Sequence, residues 1–217
     1  ASAIAAARQY LSYFRGRLEP GMAPDQMLLR DVIPESPRRA YNVRKVIEGL
    51  SDLDSVLELR PKFGKAAVTA LTRIDGWPVG MIANQPMVMA GAIDSDASDK
   101  IARFIQLCDA YDIPLLFLCD TPGLMVGPEV EKTALVRHSA RILSALANAT
   151  TPFMTVVLRK AYGLGYYVMG GAATEPDLLL AWPTAEFGGM GLEGAVNIIY
   201  RKELDAIADE AEKAALH

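Results

Sequence analysis

Three short apolar runs, each bounded by turn residues and separated by stretches of helical spacing, leave this chain few folds to choose from. "IPLLFLCD" (Ile113 to Asp120), "PFMTVVLR" (Pro152 to Arg159) and "PDLLLAWP" (Pro176 to Pro183) are too continuously apolar for half-solvated strands and too short for helices. Before the first of them Ile101, Phe104, Ile105, Cys108 and Tyr111 share one helical face, with Ser98 as the expected cap. After it Pro128 is expected to open a long helix carrying Val130, Ala134, His138, Ile142, Ala145 and Ala149 on one stripe. A further helix is expected to begin near Tyr162, and another within "GLEGAVNIIY". Parallel strands joined through helices cross over right-handed, so the order predicts an α/β fold with a mostly parallel sheet and flanking helices.

The amino-terminal part reads differently. Ile4, Ala7, Leu11, Phe14 and Leu18 recur at helical spacing while Arg8, Arg15 and Arg17 lie off that stripe, which predicts a docking helix. Glu19 to Asn42 holds four prolines and little periodicity, so a connecting segment is expected, dividing residues 1–37 from a main unit at 38–217. A short helical stretch is predicted near Val43 to Leu59, and "AAVTALTRIDGWPVGMIANQP" gives two β-type runs joined by Asp75-Gly76, a strong hairpin signal. From Arg201 an alanine-rich helix with Leu204, Ile207, Ala208 and Ala211 on one side closes the sequence. The chain opens on Ala and enters a helix at once, which suggests a fragment or processed chain.

Composition excludes several functions. With 51% apolar residues the 217-residue chain can bury a core, and a net charge of −4 without any Lys/Arg run argues against nucleic acid. Cys108 and Cys119 form no CxxC pair and only two histidines are present, so neither a metal centre nor a disulfide framework is expected. A reducing, cytoplasmic compartment is the expectation. The apolar runs are too short to cross a bilayer, so no membrane partner is expected.

Four places could carry chemistry. "DTPG" (Asp120 to Gly123) follows a buried strand, but no Gly-rich loop ending in Lys-Ser/Thr accompanies it, so nucleotide hydrolysis is excluded and a ligand-facing turn formed by Pro122 and Gly123 is expected. "GMGLEG" (Gly189 to Gly194) matches a dinucleotide pattern literally, yet "PTAEFG" separates it from the strand; close backbone packing at a helix start is the better account. His138 lies on an apolar stripe and is expected to be buried and hydrogen-bonded, Cys108 to be a small buried hydrophobe, and no serine is placed for nucleophilic catalysis. In "RKAYGLGYYVMGG" (Arg159 to Gly171) a strand ends where two glycines begin a helix, leaving the first N–H groups without helical partners. Such donors suit an oxyanion that develops during a reaction, although a turn that merely packs closely fits the residues equally well.

A resemblance separates these alternatives. "IPESPRRAYNVRKVI", "RIDGWPVGMIANQP", "ASDKIARFIQLCDAYDIPLLFLCDTPG", "RHSARILSALANATTPFMTVVLRKAYGLGYYVM" and "AWPTAEFGGMGLEGAVNIIYRKEL" follow one another as they do in the C-terminal half of the biotin-dependent acyl-CoA carboxyltransferases of the propionyl-CoA carboxylase β-subunit type. The resemblance, from Ile33 to Glu203, implies a crotonase-like ββα spiral whose main unit, 38–217, receives carboxybiotin. It also implies that the backbone N–H groups of Gly163, Leu164 and Gly165 hold the biotin ureido oxygen while the carboxyl group leaves, so that no side-chain base is needed. Tyr166, Tyr167, Pro122 and Gly123 would contact biotin or substrate.

Where that family commonly has Gly-Gly-Ala-Tyr-Asp, this chain has Gly163-Leu164-Gly165-Tyr166-Tyr167, which leaves acyl specificity open. The implied partners are an acyl-CoA substrate, a biotin carboxyl carrier domain, a biotin carboxylase, the N-terminal carboxyltransferase half-domain and further copies of the chain. The fragment alone is expected to be inactive. A decarboxylase subunit, a non-catalytic assembly module and a crotonase-type hydratase or hydrolase are the competing readings, the last weakened by the want of acids or a nucleophile at the turn.

Overall fold

The structure, a computed structural model, describes residues 2–36 and 39–201. The expected division between 37 and 38 and the closing helix with Leu204, Ile207, Ala208 and Ala211 lie outside the described residues. Seven strands form one sheet: β1 (Leu57–Leu59), β2 (Ala67–Ile74), β3 (Trp77–Asn84), β4 (Leu115–Thr121), β5 (Phe153–Tyr162) and β6 (Leu178–Ala181) in that order, with β7 (Glu186–Gly188) also pairing β5. β1, β2 and β3 are antiparallel neighbours, and every pairing from β3 onward is parallel. The helices are α1 (Ala3–Ser12), α2 (Arg44–Leu50), α3 (Ser95–Asp109), α4 (Pro128–Glu131), α5 (Leu135–Asn148), α6 (Gly163–Val168) and α7 (Leu192–Ile199).

The runs of β4 and β5 are continuously apolar because both faces of the sheet are covered there, whereas Leu178, Leu179 and Leu180 of β6 are exposed. Successive side chains of a strand point to opposite faces. Phe117 and Cys119 therefore join Ile101, Ile105 and Ile142 of α3 and α5, whereas Leu116 and Leu118 join Val46 and Ile47 of α2. The expected hairpin forms: Asp75 (φ 51°) and Gly76 (φ 77°) both take left-handed backbone, the geometry of a two-residue turn matched to strand twist.

Elsewhere local expectations give way to tertiary demands. Asp94, not Ser98, caps α3, its carboxylate accepting the N–H of Ala97 at 2.7 Å; Ser98 is one turn inside, bonded to the Asp94 carbonyl at 2.8 Å. Tyr111 lies past the helix end and is exposed. The long helix from Pro128 breaks at Ala134, whose φ of 55° separates α4 from α5. The stretch read as helical to Leu59 stops at Leu50 and ends as strand β1. At the amino terminus Tyr10, Tyr13 and Phe14 pack onto the core while Ile4, Leu11 and Leu18 of the expected stripe stay exposed; the aromatic residues bury more area per side chain. Within the proline-rich segment a short 3₁₀ helix over Gln26–Asp31 sets Leu29 into the α2-side core, where Ile33 also packs.

Candidate active site

The carboxyl end of β5 becomes a turn because of a bulge. Cys119 pairs with Val157 and Thr121 with Ala161, so one residue of β4, Asp120, faces three of β5, Leu158 to Lys160. Asp120 is fully buried, and its carboxylate fills the bulge. It accepts the backbone N–H of Lys160 at 3.2 Å and the Arg159 Nε–H at 3.1 Å, and Lys160 Nζ stands 3.4 Å away. Arg159 also donates to the Arg39 carbonyl at 2.9 Å and lies over the ring of Tyr41 at 5.2 Å. Burial, with the charge of Asp120 behind it, raises the pKa of the Tyr41 phenol well above its ordinary value. Lys160 Nζ donates to the Ala90 carbonyl at 3.0 Å. The two basic residues that precede the turn are thus committed beneath it and hold its base; bulges of this kind re-aim strands beside functional sites.

Beyond them the chain folds tightly. Gly163 has φ 51°, and a Cβ on it would stand 2.9 Å from the Gly189 carbonyl oxygen. A Cβ on Gly165 would stand 2.6 Å from Cα of Gly123, so the "GLG" and "DTPG" turns meet backbone to backbone. The "DTPG" side is fixed in its turn. Thr121 Oγ1 donates to the Gly123 carbonyl at 3.1 Å and accepts its N–H at 3.2 Å, and that carbonyl also accepts the Ile93 N–H at 3.1 Å. Gly163 follows the Tyr162–Gly188 pair that ends the β5–β7 ladder, and among the described residues no acceptor falls to the N–H groups of Leu164 or Gly165. Leu164 is half-exposed, so its side chain leaves the turn accessible.

A cavity of about 320 Å³ adjoins the turn, with Gly163, Tyr166, Tyr167, Phe187 and Gly189 among its lining. Tyr166 packs edge-on to Phe187 at 5.6 Å, and its hydroxyl accepts the N–H of Ala172 at 3.1 Å. Tyr162 donates to Glu186, tying the end of β5 to β7. Tyr167 is half-exposed at the mouth. Of the residues singled out by sequence, the structure brings Gly163, Tyr166 and Tyr167 onto the cavity wall and sets Gly165 against Gly123; Pro122 is exposed and does not line it. Three larger cavities, of about 480, 870 and 440 Å³, touch none of these residues.

The remaining candidates resolve simply. His138 is partly buried, with Nδ1 2.9 Å from Asp99 Oδ1. Burial alone would raise the Asp99 pKa, but His138 and Arg141 outweigh it and hold that carboxyl below its ordinary value. Cys108 is buried in the core, where desolvation pushes its thiol up to about 12. In "GMGLEG" Gly191 precedes α7, and the close approach belongs to the facing Gly163, since Gly189 itself has open space where a Cβ would go. Among the described residues no group of His, Cys, Asp and Glu could hold a metal ion, and no helix is long and apolar enough to cross a membrane.

Sequence reasoning missed Phe187 and the Asp120–Arg159 pair. A strand of three residues gives β7 no periodicity to detect, but an aspartate ending a run of buried residues needs a partner, and that signal was present.

Comparisons with known proteins identify the family and the fold. The carboxyl transferase domain matches residues 1–216. The carboxyltransferase subunit of propionyl-CoA carboxylase from Haloferax mediterranei is 44% identical over 195 residues, covering 89% of this chain and 38% of that protein. The solved structure of a single-chain, multi-domain long-chain acyl-CoA carboxylase superposes with a TM-score of 0.90 at 46% identity, covering 99% of this chain and 21% of that one. Transcarboxylase 12S, described as a hexamer and solved with methylmalonyl-coenzyme A and methylmalonic acid bound, gives 0.89 at 40% identity, covering 98% and 42%. The chain therefore spans less than half the length of these relatives, and its mostly parallel sheet with flanking helices is the crotonase-like fold they share.

Proposed function

Because the chain belongs to the carboxyl transferase domain family, we propose that it supplies the biotin-facing half of an enzyme that moves a carboxyl group between carboxybiotin and the α-carbon of an acyl-CoA. The observation that carries this reading is the pair of N–H groups on Leu164 and Gly165, without acceptors among the described residues, at a turn braced by Gly123 and adjoining a cavity that Gly163 lines. Biotin, brought on a separate carrier domain, supplies a ureido group that holds and releases the carboxyl. The turn's N–H groups bind and orient its ureido oxygen and stabilise the negative charge that gathers there, with little reorganisation because the bulge and both turns fix them beforehand. Tyr166 and Phe187 form an apolar wall that limits water. Tyr167, at the cavity mouth, bears on acyl choice.

On this reading residues 38–217 form the carboxybiotin half, preceded by a helix and connecting segment. An acyl-CoA half-domain, a carrier domain, a biotin carboxylase and further copies of the chain complete the enzyme in the cytoplasm. The exposed leucines of β6, Leu178 to Leu180, offer an apolar edge for such an assembly to cover.

The test places residues 39–201 in the matching segment of a carboxyltransferase subunit and compares parent with Leu164→Pro. Proline is tolerated in a first helical turn but removes the donor. Carboxyl transfer should fall on the order of 100-fold, the usual effect of losing one such donor. A folded variant working at the parent rate would refute the assignment. In the same chimera Tyr167→Asp should change the ranking of acetyl, propionyl and longer thioesters by about 1–3 kcal/mol. An unchanged ranking would place specificity outside this chain.

A further inference from the structure

Beside the antiparallel edge of the sheet, where Leu59 of β1 pairs with Thr69 of β2, the second half of α3 and the ring of Tyr10 enclose the cavity of about 480 Å³. Its floor holds a buried ammonium. Lys100 is 2% exposed, and among the described residues Nζ makes one hydrogen bond, to the Ala67 carbonyl at 2.8 Å, where an ammonium offers three donors. Glu58, whose charge reaches Lys100, is held by two bonds of 2.7 Å from Arg44. Burial lowers the ammonium's pKa to about 8, so the cavity penalises the charge it contains, and a bound anion would relieve that penalty.

Two guanidinium groups stand at the rim. Arg60 and Arg103 are both exposed, and neither has a carboxylate partner among the described residues. Arg60 adopts left-handed backbone, φ 53°, a conformation that costs any residue with a Cβ and persists where surroundings impose it. Three cations thus converge on one cavity in a chain whose net charge is −4. The other wall is apolar, built by Leu59, Phe104 and Leu107. Tyr10 and Tyr111 close it, joined through Phe14 at ring separations of 4.9 and 4.3 Å.

A cationic floor and rim beside an apolar wall match an anion with a hydrocarbon body. A bare phosphate would leave that wall unused, and a neutral lipid would leave the ammonium without a counter-charge. We propose that this cavity binds a small carboxylate with an apolar tail, its head group on Lys100, Arg60 and Arg103 and its tail along Phe104 and Leu107. The aromatic lid ties the site to the amino-terminal helix, so occupancy would hold α1 against α3.

The test uses the 217-residue chain and calorimetric titration with octanoate, octanol and acetate. Octanoate should bind saturably at one site, with octanol and acetate each at least tenfold weaker. Lys100→Met and, independently, the surface change Arg103→Ala should each weaken octanoate at least tenfold. Arg103→Ala keeps the question decidable if the buried substitution perturbs folding. Amide shifts on binding should centre on α3 and Tyr10. No octanoate binding, equal binding of octanol or acetate, or affinity indifferent to both substitutions would overturn the proposal. Carboxyl transfer enters none of these readouts, so the result is independent of the reading above.

Discussion

Gly163 and Gly165 are constrained for different reasons, and substitution should separate them. Alanine at 163 must hold φ near 51° and also place a Cβ 2.9 Å from the Gly189 carbonyl oxygen. The left-handed backbone alone costs roughly 1–2 kcal/mol. At 165 the clash is with backbone only, 2.6 Å from Cα of Gly123, so alanine must push the two turns apart. We expect Gly163→Ala to lower the urea midpoint measurably, and Gly165→Ala to move the amide resonances of Thr121 to Gly123; a silent Gly165→Ala would contradict the backbone contact. Lys100 gives a pH signature. Its folded pKa of about 8 lies below the ordinary 10.5, so the unfolded chain binds more protons between those values and stability gains as pH rises through that window. Lys100→Met should therefore be more stable than the parent at pH 7, with the advantage shrinking toward pH 10.5. Urea denaturation at both ends checks it, and a pH-independent difference would contradict it.

Among the elements, the bulge in β5 gives the candidate site its shape. Replacing Asp120 by Asn removes the charge that Arg159 faces in a fully buried place, and losing one partner of a buried pair costs about 3–5 kcal/mol. Asp120→Asn should be destabilised by an amount of that order, and adding Arg159→Met should recover part of the loss in a double-mutant cycle. Additive losses would show that the pair is not coupled. The same elements show what could be read in advance. The hairpin was legible because Asp75-Gly76 carries its own backbone preference, and β4 and β5 because both their faces are covered and their residues are apolar throughout. The turn at Gly163 to Gly165 was legible because glycine marks it, and the structure leaves the N–H groups of Leu164 and Gly165 without acceptors among the described residues. The break at Ala134 was not, since alanine is the best helix former and only tertiary packing places it at φ 55°. Nor was the contact of "DTPG" with "GLG": residues 123 and 165 are brought together by a parallel crossover that leaves no trace in local spacing.

On the scale of the whole molecule, the sheet is covered on both faces from β2 to β5 and, among the described residues, exposed at β6. α3, α5 and α2 bury the strands from β2 to β5, whereas β6 presents Leu178, Leu179 and Leu180 at 45%, 36% and 49% exposure. Exposed apolar edges promote association, so the chain should self-associate in sedimentation velocity, and Leu178→Lys with Leu180→Lys should shift it toward the monomer. An unchanged distribution would assign any association to another surface. Recognition by the two N–H groups on Leu164 and Gly165 can be measured on the chain itself by titrating the ¹⁵N-labelled protein with biotin. Saturable shifts are expected in the amide resonances of Leu164 and Gly165, accompanied by Tyr166 and Phe187, with their loss in Leu164→Pro. Saturable shifts confined to other surfaces, or none at the turn at millimolar biotin, would contradict that recognition.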